Sequence, residues 1–321
     1  MIKEKRIFVA GHGGLVGSAI LRALHAQGCE RVITRARAEL DLTDQAAVNL
    51  FFEKERPEVV FLAAAKVGGI LANSSYPADF IRDNLLIQTN VIDAARRGGA
   101  GRFVFLGSSC IYPKHAPQPI KEEYLLTGPL EPTNEAYAVA KIAGLKMCQF
   151  FGEQYGLDYV NVMPTNLYGP GDNFDPQSSH VLAALIRKFH GARSDGGSVE
   201  IWGTGAPRRE FLYVEDLADA CLFLAQQPAG ALDGVAPDRV FNVGVGEDLG
   251  IRELAALIQE VIGTNCELIF DRSKPDGTPR KLLDVSRMKA LGWAARTPLR
   301  DGIRMTYEWF VKNNEEAAAR A

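Results

Sequence analysis

The segment RIFVAGHGGLVG, residues 6–17, decides the fold of this chain. A short apolar run ends at Gly11, and apolar residues at helical spacing then continue to Gly28. Gly11, Gly14 and Gly17 have the spacing GxxGxxG. In such a loop the first glycine permits a tight turn, the second lets a pyrophosphate approach the backbone, and the third lets helix and strand pack closely. The segment therefore predicts a strand, a dinucleotide-binding turn and a helix whose free N–H groups face the phosphates.

Strand-like and helix-like segments alternate beyond this loop. Apolar runs predict further strands at residues 31–34, 58–65, 102–109 and 159–169, and helical patterns predict helices at 42–57, with Thr43 as N-cap, 78–99 and 135–156. Because the strands are continuous apolar runs, both faces of the sheet should be buried under helices. We predict an α/β protein: a doubly wound parallel Rossmann sheet with a smaller, less regular C-terminal substrate domain.

The regular alternation fades after about residue 168, where a polar loop precedes a predicted helix at 180–190 and a predicted strand at 199–202. Ligands in open α/β sheets bind outside the carboxyl ends of the strands, so this part is a candidate lid over that edge. The expected division of the chain places residues 1–167 and about 212–243 in the dinucleotide-binding domain. The substrate-binding domain then takes about 168–211 and 244–321.

Composition excludes several classes of protein. The 321 residues are 47% hydrophobic and 23% charged, and the net charge of −3 provides no basic surface for nucleic acid or acidic lipid. No run approaches the roughly 20 apolar residues of a membrane span. Five scattered cysteines argue against a disulfide framework and a structural metal site. No signal-peptide pattern precedes the first strand, so we expect a cytoplasmic protein without bound metal.

The end of the second predicted strand bears on the choice of cofactor. A site for NAD usually has an acid there, whereas a site for NADP has arginine for the 2′-phosphate. The sequence reads VITRARAELDL, with Arg35 and Arg37 before the first acid, Glu39. This order favours NADP, although two arginines beside a surface loop can also be merely solvated.

A serine, a tyrosine and a lysine are predicted to meet at the sheet edge. Tyr137 and Lys141 are one helical turn apart, on the helix that follows the strand ending at Ser108 and Ser109. A tyrosine has a pKa of about 10, which a neighbouring ammonium lowers, so that its hydroxyl can exchange a proton with a carbinol oxygen. A nicotinamide would supply or accept the hydride. The combination of this trio with the glycine loop predicts a reductase.

At this point the chain resembles the extended short-chain dehydrogenase/reductase family over nearly its whole length. The motifs that carry the resemblance run in order from residue 11 to about 286: LGSSCIYPK, AAAKVGGI, EPTNEAYAVAKIAG, MPTNLYGPGDNF, SSHV, REFLYVEDLADA and KPDGTPRKLLDVS. Within the family they resemble NADPH-dependent enzymes acting on GDP-4-keto-6-deoxy-D-mannose. Those enzymes invert C3 and C5 of the sugar and then reduce its C4 ketone.

The resemblance implies a catalytic set of Ser108, Cys110, Tyr137, Lys141 and His180. The hydrogens on C3 and C5 are α to the ketone and become acidic when its oxygen is stabilised, which Ser108 and Tyr137 would do. Cys110 would remove each proton, and His180 would deliver one to the opposite face of the sugar. A free cysteine is usually a small buried hydrophobe, but Cys110 lies at the predicted catalytic edge.

The resemblance also implies binding residues. The cofactor set is Gly11, Gly14, Leu15, Val16, Gly17, Arg35, Arg37, Leu106, Gly107, Ser108, Ser109, Lys141, Pro164, Thr165, Asn166, Leu167 and His180. The set for the GDP-sugar substrate is Lys188, Trp202, Arg209 and Asp276. A homodimer through the helices after the third and fourth strands is implied as well. In one departure, Gly13 replaces an arginine that is common in relatives and leaves the 2′-phosphate to Arg35 and Arg37.

Alternative functions remain at the level of the sequence. A nucleotide-sugar 4-epimerase or a simple 4-reductase would keep serine, tyrosine and lysine without needing Cys110 and His180. A 4,6-dehydratase would have Thr-Asp-Glu where this chain has residues 108–110, so it is discounted. A non-catalytic NADP-binding regulator would tolerate loss of Tyr137 or Lys141, and both are present.

Overall fold

The computed structural model describes residues 2–176, 178–195, 197–274 and 276–320. The strands are β1 (Ile7–Ala10), β2 (Val32–Ile33), β3 (Val59–Leu62), β4 (Arg102–Leu106), β5 (Tyr159–Pro164), β6 (Asn166–Tyr168), β7 (Ser198–Trp202), β8 (Arg208–Arg209), β9 (Phe211–Tyr213), β10 (Val240–Val243), β11 (Leu249–Gly250), β12 (Glu267–Asp271) and β13 (Arg280–Lys281). The helices are α1 (Leu15–Ala26), α2 (Gln45–Glu55), α3 (Ile70–Ser75), α4 (Pro77–Arg97), α5 (Glu135–Tyr155), α6 (Val181–Asp195), α7 (Val214–Gln226), α8 (Ala229–Val235), α9 (Ile251–Ile262), α10 (Ser286–Ala290) and α11 (Leu299–Arg320).

The central sheet is parallel throughout and has the strand order β10-β5-β4-β3-β1-β2. The chain passes from β1 to β2 on one side and later fills the other side through β3, β4 and β5. The strand order therefore reverses between β1 and β3, which is where such sheets bind ligands. The predicted doubly wound Rossmann sheet is confirmed.

Each face of the sheet is buried in its own core, as the apolar strand runs predict. In β1, Ile7 and Val9 pack in a cluster with α1 and α7, whereas Phe8 and Ala10 pack in a cluster with α2, α4 and α5. All four β1 side chains are nearly inaccessible to water. Burying a Val, Ile or Phe side chain contributes about 1.5–3 kcal/mol, so these clusters fix the edge on which the site is built.

The C-terminal part adds small sheets and a third core. β8 pairs with β11 and β13, β7 pairs with β12, and β6 pairs with β9. The third hydrophobic cluster joins α6, α9 and α11, with Leu182, Leu254 and Ile303 among its buried members. Two of these pairs, β8 with β13 and β6 with β9, place residues from distant parts of the chain beside the carboxyl edge of the central sheet.

Several boundaries differ from those that the sequence predicts. Thr43 is not the N-cap of α2; the Asp44 carboxylate accepts from the N–H groups of Ala46 and Ala47, while the Thr43 hydroxyl donates to Asp41. A carboxylate is a better acceptor than a hydroxyl, and it lies one residue nearer the free amides. The predicted strand at 159–169 is two strands, β5 and β6, and the predicted helix at 180–190 is α6, five residues longer at its end.

In the described part of the chain, none of the helices combines the length and the apolar character that crossing a bilayer requires.

Candidate active site

The glycine loop has the close approaches that its spacing predicts. Gly11 has φ +84°, and a Cβ atom there would lie 2.7 Å from the Cα of Ala64, which follows β3. A Cβ atom at Gly17 would overlap the carbonyl oxygen of Gly11. Gly14 is the N-cap of α1 and offers no side-chain cap, so the first amides of that helix are left for an anion. A Cβ atom at Gly13 would meet nothing within 4 Å, so the loop surface is open there.

The predicted cofactor residues after β4 and β5 lie at the same edge as the glycine loop, because β1, β4 and β5 are parallel. Leu106 ends β4, and Gly107, Ser108 and Ser109 follow it; Pro164 ends β5, and residues 165–167 follow it. The Thr165 hydroxyl and the Asn166 amide both donate to the carbonyl oxygen of Glu210, at 3.3 and 2.8 Å. The backbone between β8 and β9 thus holds this segment in place.

The two arginines after β2 have different surroundings. Arg35 is half-buried and donates to Glu55 at 2.7 Å and to the carbonyl oxygen of Thr34 at 2.8 Å. Arg37 is exposed. The Glu39 carboxylate accepts from the N–H of Ala36, so it turns back onto its own loop. The exposed guanidinium in this loop is therefore that of Arg37.

Tyr137 and Lys141 lie on α5 beside β4. Lys141 is buried and donates from Nζ to the carbonyl oxygen of Leu106 at 2.8 Å, and its Nζ lies 5.8 Å from the centre of the Tyr137 ring. Burial lowers the pKa of Lys141 to about 8.

The phenol of Tyr137 differs from its sequence-based expectation. Burial raises its pKa, the charge of Cys110 raises it further, and a hydrogen bond with Ser108 opposes both. The predicted lowering of this pKa is therefore wrong, because burial of the phenol is the dominant effect. A phenol that keeps its proton is suited to donating it.

Cys110 is held where a thiolate would be stabilised. It lies in the 3₁₀ turn Ser109–Ile111, capped by the Ser108 hydroxyl oxygen, which accepts from the N–H of Cys110 at 3.2 Å. Its half-buried Sγ receives the Nδ2 of Asn134 at 3.2 Å and the Nζ of Lys281 at 3.6 Å. Asn134 ends the 3₁₀ turn just before α5, and Lys281 belongs to β13.

His180 lies immediately before α6, with its carbonyl oxygen accepting from Ala184 at 2.9 Å. Its side chain reaches solvent but is also surrounded by protein, and this partial loss of water together with the charge of Lys281 lowers the pKa of His180. Lys281 therefore interacts with both Cys110 and His180, across three segments that are far apart in the chain.

Sequence reasoning missed Asn134 and Lys281 as partners of Cys110. Both lie within quoted motifs, EPTNEAYAVAKIAG and KPDGTPRKLLDVS. Because Asn134 stands three residues before Tyr137 of the YxxxK pattern, it could have been predicted as a site residue. Nothing local indicates Lys281, because its position depends on the pairing of β13 with β8.

Two of the residues predicted for substrate, Trp202 and Asp276, lie beside each other in the C-terminal part of the chain. Trp202, at the end of β7, is 62% exposed, and the Nζ of Lys274 lies 5.6 Å from its ring centre. The Asp276 carboxylate accepts from the N–H and the hydroxyl of Thr204, at 2.9 and 2.7 Å, and so lies beside Trp202.

Arg209 and Lys188 are tied to backbone oxygens. Arg209 in β8 donates to the carbonyl oxygen of Thr278 at 2.6 Å and pairs in register with Lys281. Lys188 on α6 is exposed and donates to the carbonyl oxygen of Glu200 in β7 at 2.7 Å. This hydrogen bond links α6 to β7.

Among the described residues, several buried polar side-chain atoms have no hydrogen-bond partner, and some of them belong to the segments that carry this site. They include His12 Nδ1 in the glycine loop, Asn134 Oδ1, Ser179 Oγ and Asp172 Oδ2. Burial raises the pKa of Asp172 to about 7. Buried polar atoms normally have partners, so these atoms fit a bound polar ligand, and the open glycine loop fits its pyrophosphate.

Comparison with known proteins agrees with this geometry. Residues 7–244 match the model of the NAD dependent epimerase/dehydratase family, and the chain belongs to that family. It is 57% identical to GDP-L-fucose synthase 1 of Arabidopsis thaliana, over 97% of this chain and 94% of the relative. It is 51% identical to GDP-L-fucose synthase of Escherichia coli, over 98% and 99%. A GDP-mannoheptose C4 reductase from Campylobacter jejuni with NADP bound is 39% identical, with a TM-score of 0.88, over 97% and 99%.

Proposed function

We propose that this protein makes GDP-L-fucose from GDP-4-keto-6-deoxy-D-mannose, by epimerisation at C3 and C5 and NADPH-dependent reduction at C4. The observation that carries the proposal is the Cys110 thiol, held by Asn134 and Lys281 and joined through Ser108 to Tyr137. A reductase needs no thiol there, whereas an epimerase needs a base. The names of the curated relatives support the same reaction.

NADPH is the cofactor, and it supplies the hydride when bound. Gly11, Gly14 and Gly17 with the first turn of α1, including Leu15 and Val16, would hold its pyrophosphate. Arg37, with Arg35 if Glu55 releases it, would bind the 2′-phosphate. The segments after β4 and β5, Leu106–Ser109 and Pro164–Leu167, would line the nicotinamide together with Lys141 and His180.

For epimerisation, Cys110 acts as the base and His180 as the acid. The thiolate removes the hydrogen from C3 or C5, and the electron pair moves toward the C4 oxygen. The hydroxyls of Ser108 and Tyr137 donate to that oxygen and stabilise the enolate. His180 then delivers a proton to the opposite face of the same carbon. The thiol and the imidazole exchange protons with water before the second inversion.

For reduction, Tyr137 donates its proton to the C4 oxygen while Ser108 holds that oxygen. The raised pKa of Tyr137 keeps the phenol protonated in the resting site. Lys141, whose Nζ lies 5.8 Å from the ring centre, places its ammonium where the phenolate forms. The same pair of hydroxyls thus serves both chemistries.

The substrate would be bound mainly by residues of the C-terminal substrate-binding domain. Arg209 and Lys188 are placed to neutralise the diphosphate, Trp202 offers an exposed aromatic surface, and Asp276 accepts hydrogen bonds from base or hydroxyl. We also propose the predicted two-domain division, residues 1–167 with about 212–243 and about 168–211 with 244–321. The separate third core around α6, α9 and α11 supports it.

A homodimer is proposed through α4 and α5. These helices pack on each other and expose Leu86, Val139 and Phe150, which are 41%, 40% and 58% accessible. An exposed apolar face of this kind favours a second copy. The five cysteines are unpaired, which supports a cytoplasmic location.

The main rival function is C4 reduction without epimerisation; one structural neighbour is named a C4 reductase. Product analysis separates the two. With NADPH and GDP-4-keto-6-deoxy-D-mannose, we expect a product whose proton couplings show inverted C3 and C5 and a hydroxyl at C4. If NADPH is consumed but the product keeps the substrate's configuration at C3 and C5, the protein is a C4 reductase only.

A further inference from the structure

Lys281 has an unusual setting at the catalytic edge. Its Nζ lies 3.6 Å from the Sγ of Cys110, and its charge also acts on His180. Within the described residues, no carboxylate pairs with Lys281, whereas its neighbour Arg280 pairs with Asp248. The ammonium of Lys281 is therefore left for the thiol and the imidazole.

The segment that carries Lys281 is fixed on both sides. The N–H of Leu282 donates to Gln118 at 2.8 Å, and the N–H of Leu283 donates to the fully buried Glu210 at 3.0 Å. The same Glu210 carboxylate accepts from Val245 and Gly246, at 2.7 Å each. Because these contacts hold the backbone, the ammonium is placed by the fold rather than by a free surface loop.

We propose that Lys281 is the positioning residue of the epimerase: its ammonium favours the thiolate form of Cys110, the base, and makes His180 readier to release its proton. One positive charge that acts on both groups favours the thiolate and disfavours the imidazolium, so it prepares base and acid together. This inference rests on the proposed function for the roles of Cys110 and His180.

The other groups around Cys110 do not replace this charge. Asn134 and Ser108 are neutral, and Tyr137 faces the thiol as a protonated phenol. Lys141 is directed to the carbonyl oxygen of Leu106. His180, when protonated, would share the task only until it donates its proton.

The rival role for Lys281 is binding of the substrate diphosphate, since Lys281 lies in register with Arg209 in the β8–β13 pair. The two roles predict different kinetics. A diphosphate ligand affects KM for the GDP-sugar, whereas a charge that ionises Cys110 affects the pH dependence of the thiol without substrate.

The decisive experiment measures alkylation of Cys110 by iodoacetamide against pH in the full-length protein without substrate, read by mass spectrometry of the Cys110 peptide. Lys281→Met should move the alkylation profile to higher pH and slow alkylation at pH 7 about tenfold, because the thiolate loses a neighbouring positive charge. Lys281→Arg should stay near wild type, and so should Lys289→Met, which removes an exposed lysine on α10. An unchanged profile in Lys281→Met, with a native circular dichroism spectrum, overturns the proposal.

Kinetics with the GDP-sugar complete the test. Lys281→Met should lower kcat for deuterium exchange at C3 and C5 about tenfold and leave KM for the GDP-sugar nearly unchanged. The pH dependence of exchange should move to higher pH. A rise in KM alone would assign Lys281 to the diphosphate and overturn the inference. If the wild-type protein shows no exchange at all, the proposed function fails, while the alkylation profiles still report on Lys281.

Discussion

Two groups of side chains share this edge of the sheet, and they are assembled in different ways. The proposed reductase group, Ser108, Tyr137 and Lys141, comes from the end of β4 and from α5, the next long helix. Lys141 donates to the last carbonyl oxygen of β4, and the Ser108 hydroxyl accepts from the N–H of Cys110. The proposed epimerase group, Cys110, His180 and Lys281, comes from three segments, a 3₁₀ turn, the start of α6 and β13.

The difference shows how a second chemistry is added to a reductase. The local group needs only one strand, one helix and their spacing. The dispersed group needs the C-terminal part to place α6 and β13 over that edge. The two groups meet through Ser108, whose oxygen caps Cys110 and contacts Tyr137. Substitutions should therefore separate the two activities.

The largest effect should come from Tyr137→Phe. Loss of the proton donor should reduce the rate of C4 reduction by about 10²–10⁴-fold, while deuterium exchange at C3 and C5 continues at a lower rate supported by Ser108. NADPH oxidation and mass spectrometry of the recovered sugar measure the two in one sample. If Tyr137→Phe reduced C4 reduction and C3/C5 exchange by the same factor, the two sets of side chains would not have separable functions.

Cys110→Ser should lose deuterium exchange at C3 and C5 and keep C4 reduction, the opposite of Tyr137→Phe. Removing the thiol should reduce exchange by at least about 10²-fold, because a serine hydroxyl is a far weaker base at neutral pH, and some reduction should remain. Cys266→Ser, a matched control at a cysteine outside the site, should behave as wild type. Exchange that is unaffected in Cys110→Ser would remove the thiol from the mechanism.

Lys141 should destabilise the fold at neutral pH, because burial holds its pKa at about 8 instead of 10.5. Between those pH values the unfolded chain binds more protons than the native protein, so native stability rises with pH. Relative to Lys141→Met, the wild-type free energy of unfolding should increase by about 3 kcal/mol from pH 7 to 10.5. Urea unfolding at several pH values measures it; a constant difference would contradict the burial of a charged lysine.

The smallest effect concerns the cofactor. Arg37→Ala should raise KM for NADPH about tenfold and leave KM for NADH unchanged, since a charged hydrogen bond to phosphate contributes about 1.5–3 kcal/mol. Arg22→Ala, which breaks an ion pair with Glu215 on the outside of α1, is the control. If Glu55→Gln lowers KM for NADPH while Arg37→Ala has no effect, the phosphate is bound by Arg35.

The same contrast explains what the sequence could predict. The sheet, the glycine loop and the Tyr137–Lys141 pair follow from periodicity and short spacings, and the structure brings them together as predicted. The N-cap of α2 was misplaced by one residue, because Thr43 and Asp44 are both acceptable caps. The pKa of Tyr137 depends on burial, and the contact between Cys110 and Lys281 depends on β13 pairing. Neither can be read from local sequence.

The central claim is that one site carries out two separable reactions. The most direct measurement incubates the wild-type protein with GDP-4-keto-6-deoxy-D-mannose and NADP⁺ in D₂O, where reduction is impossible, and locates deuterium in the sugar. Deuterium at both C3 and C5, absent in Cys110→Ser, is the predicted result. A sugar without deuterium at either carbon, from a protein that still oxidises NADPH with the same substrate, would contradict the claim.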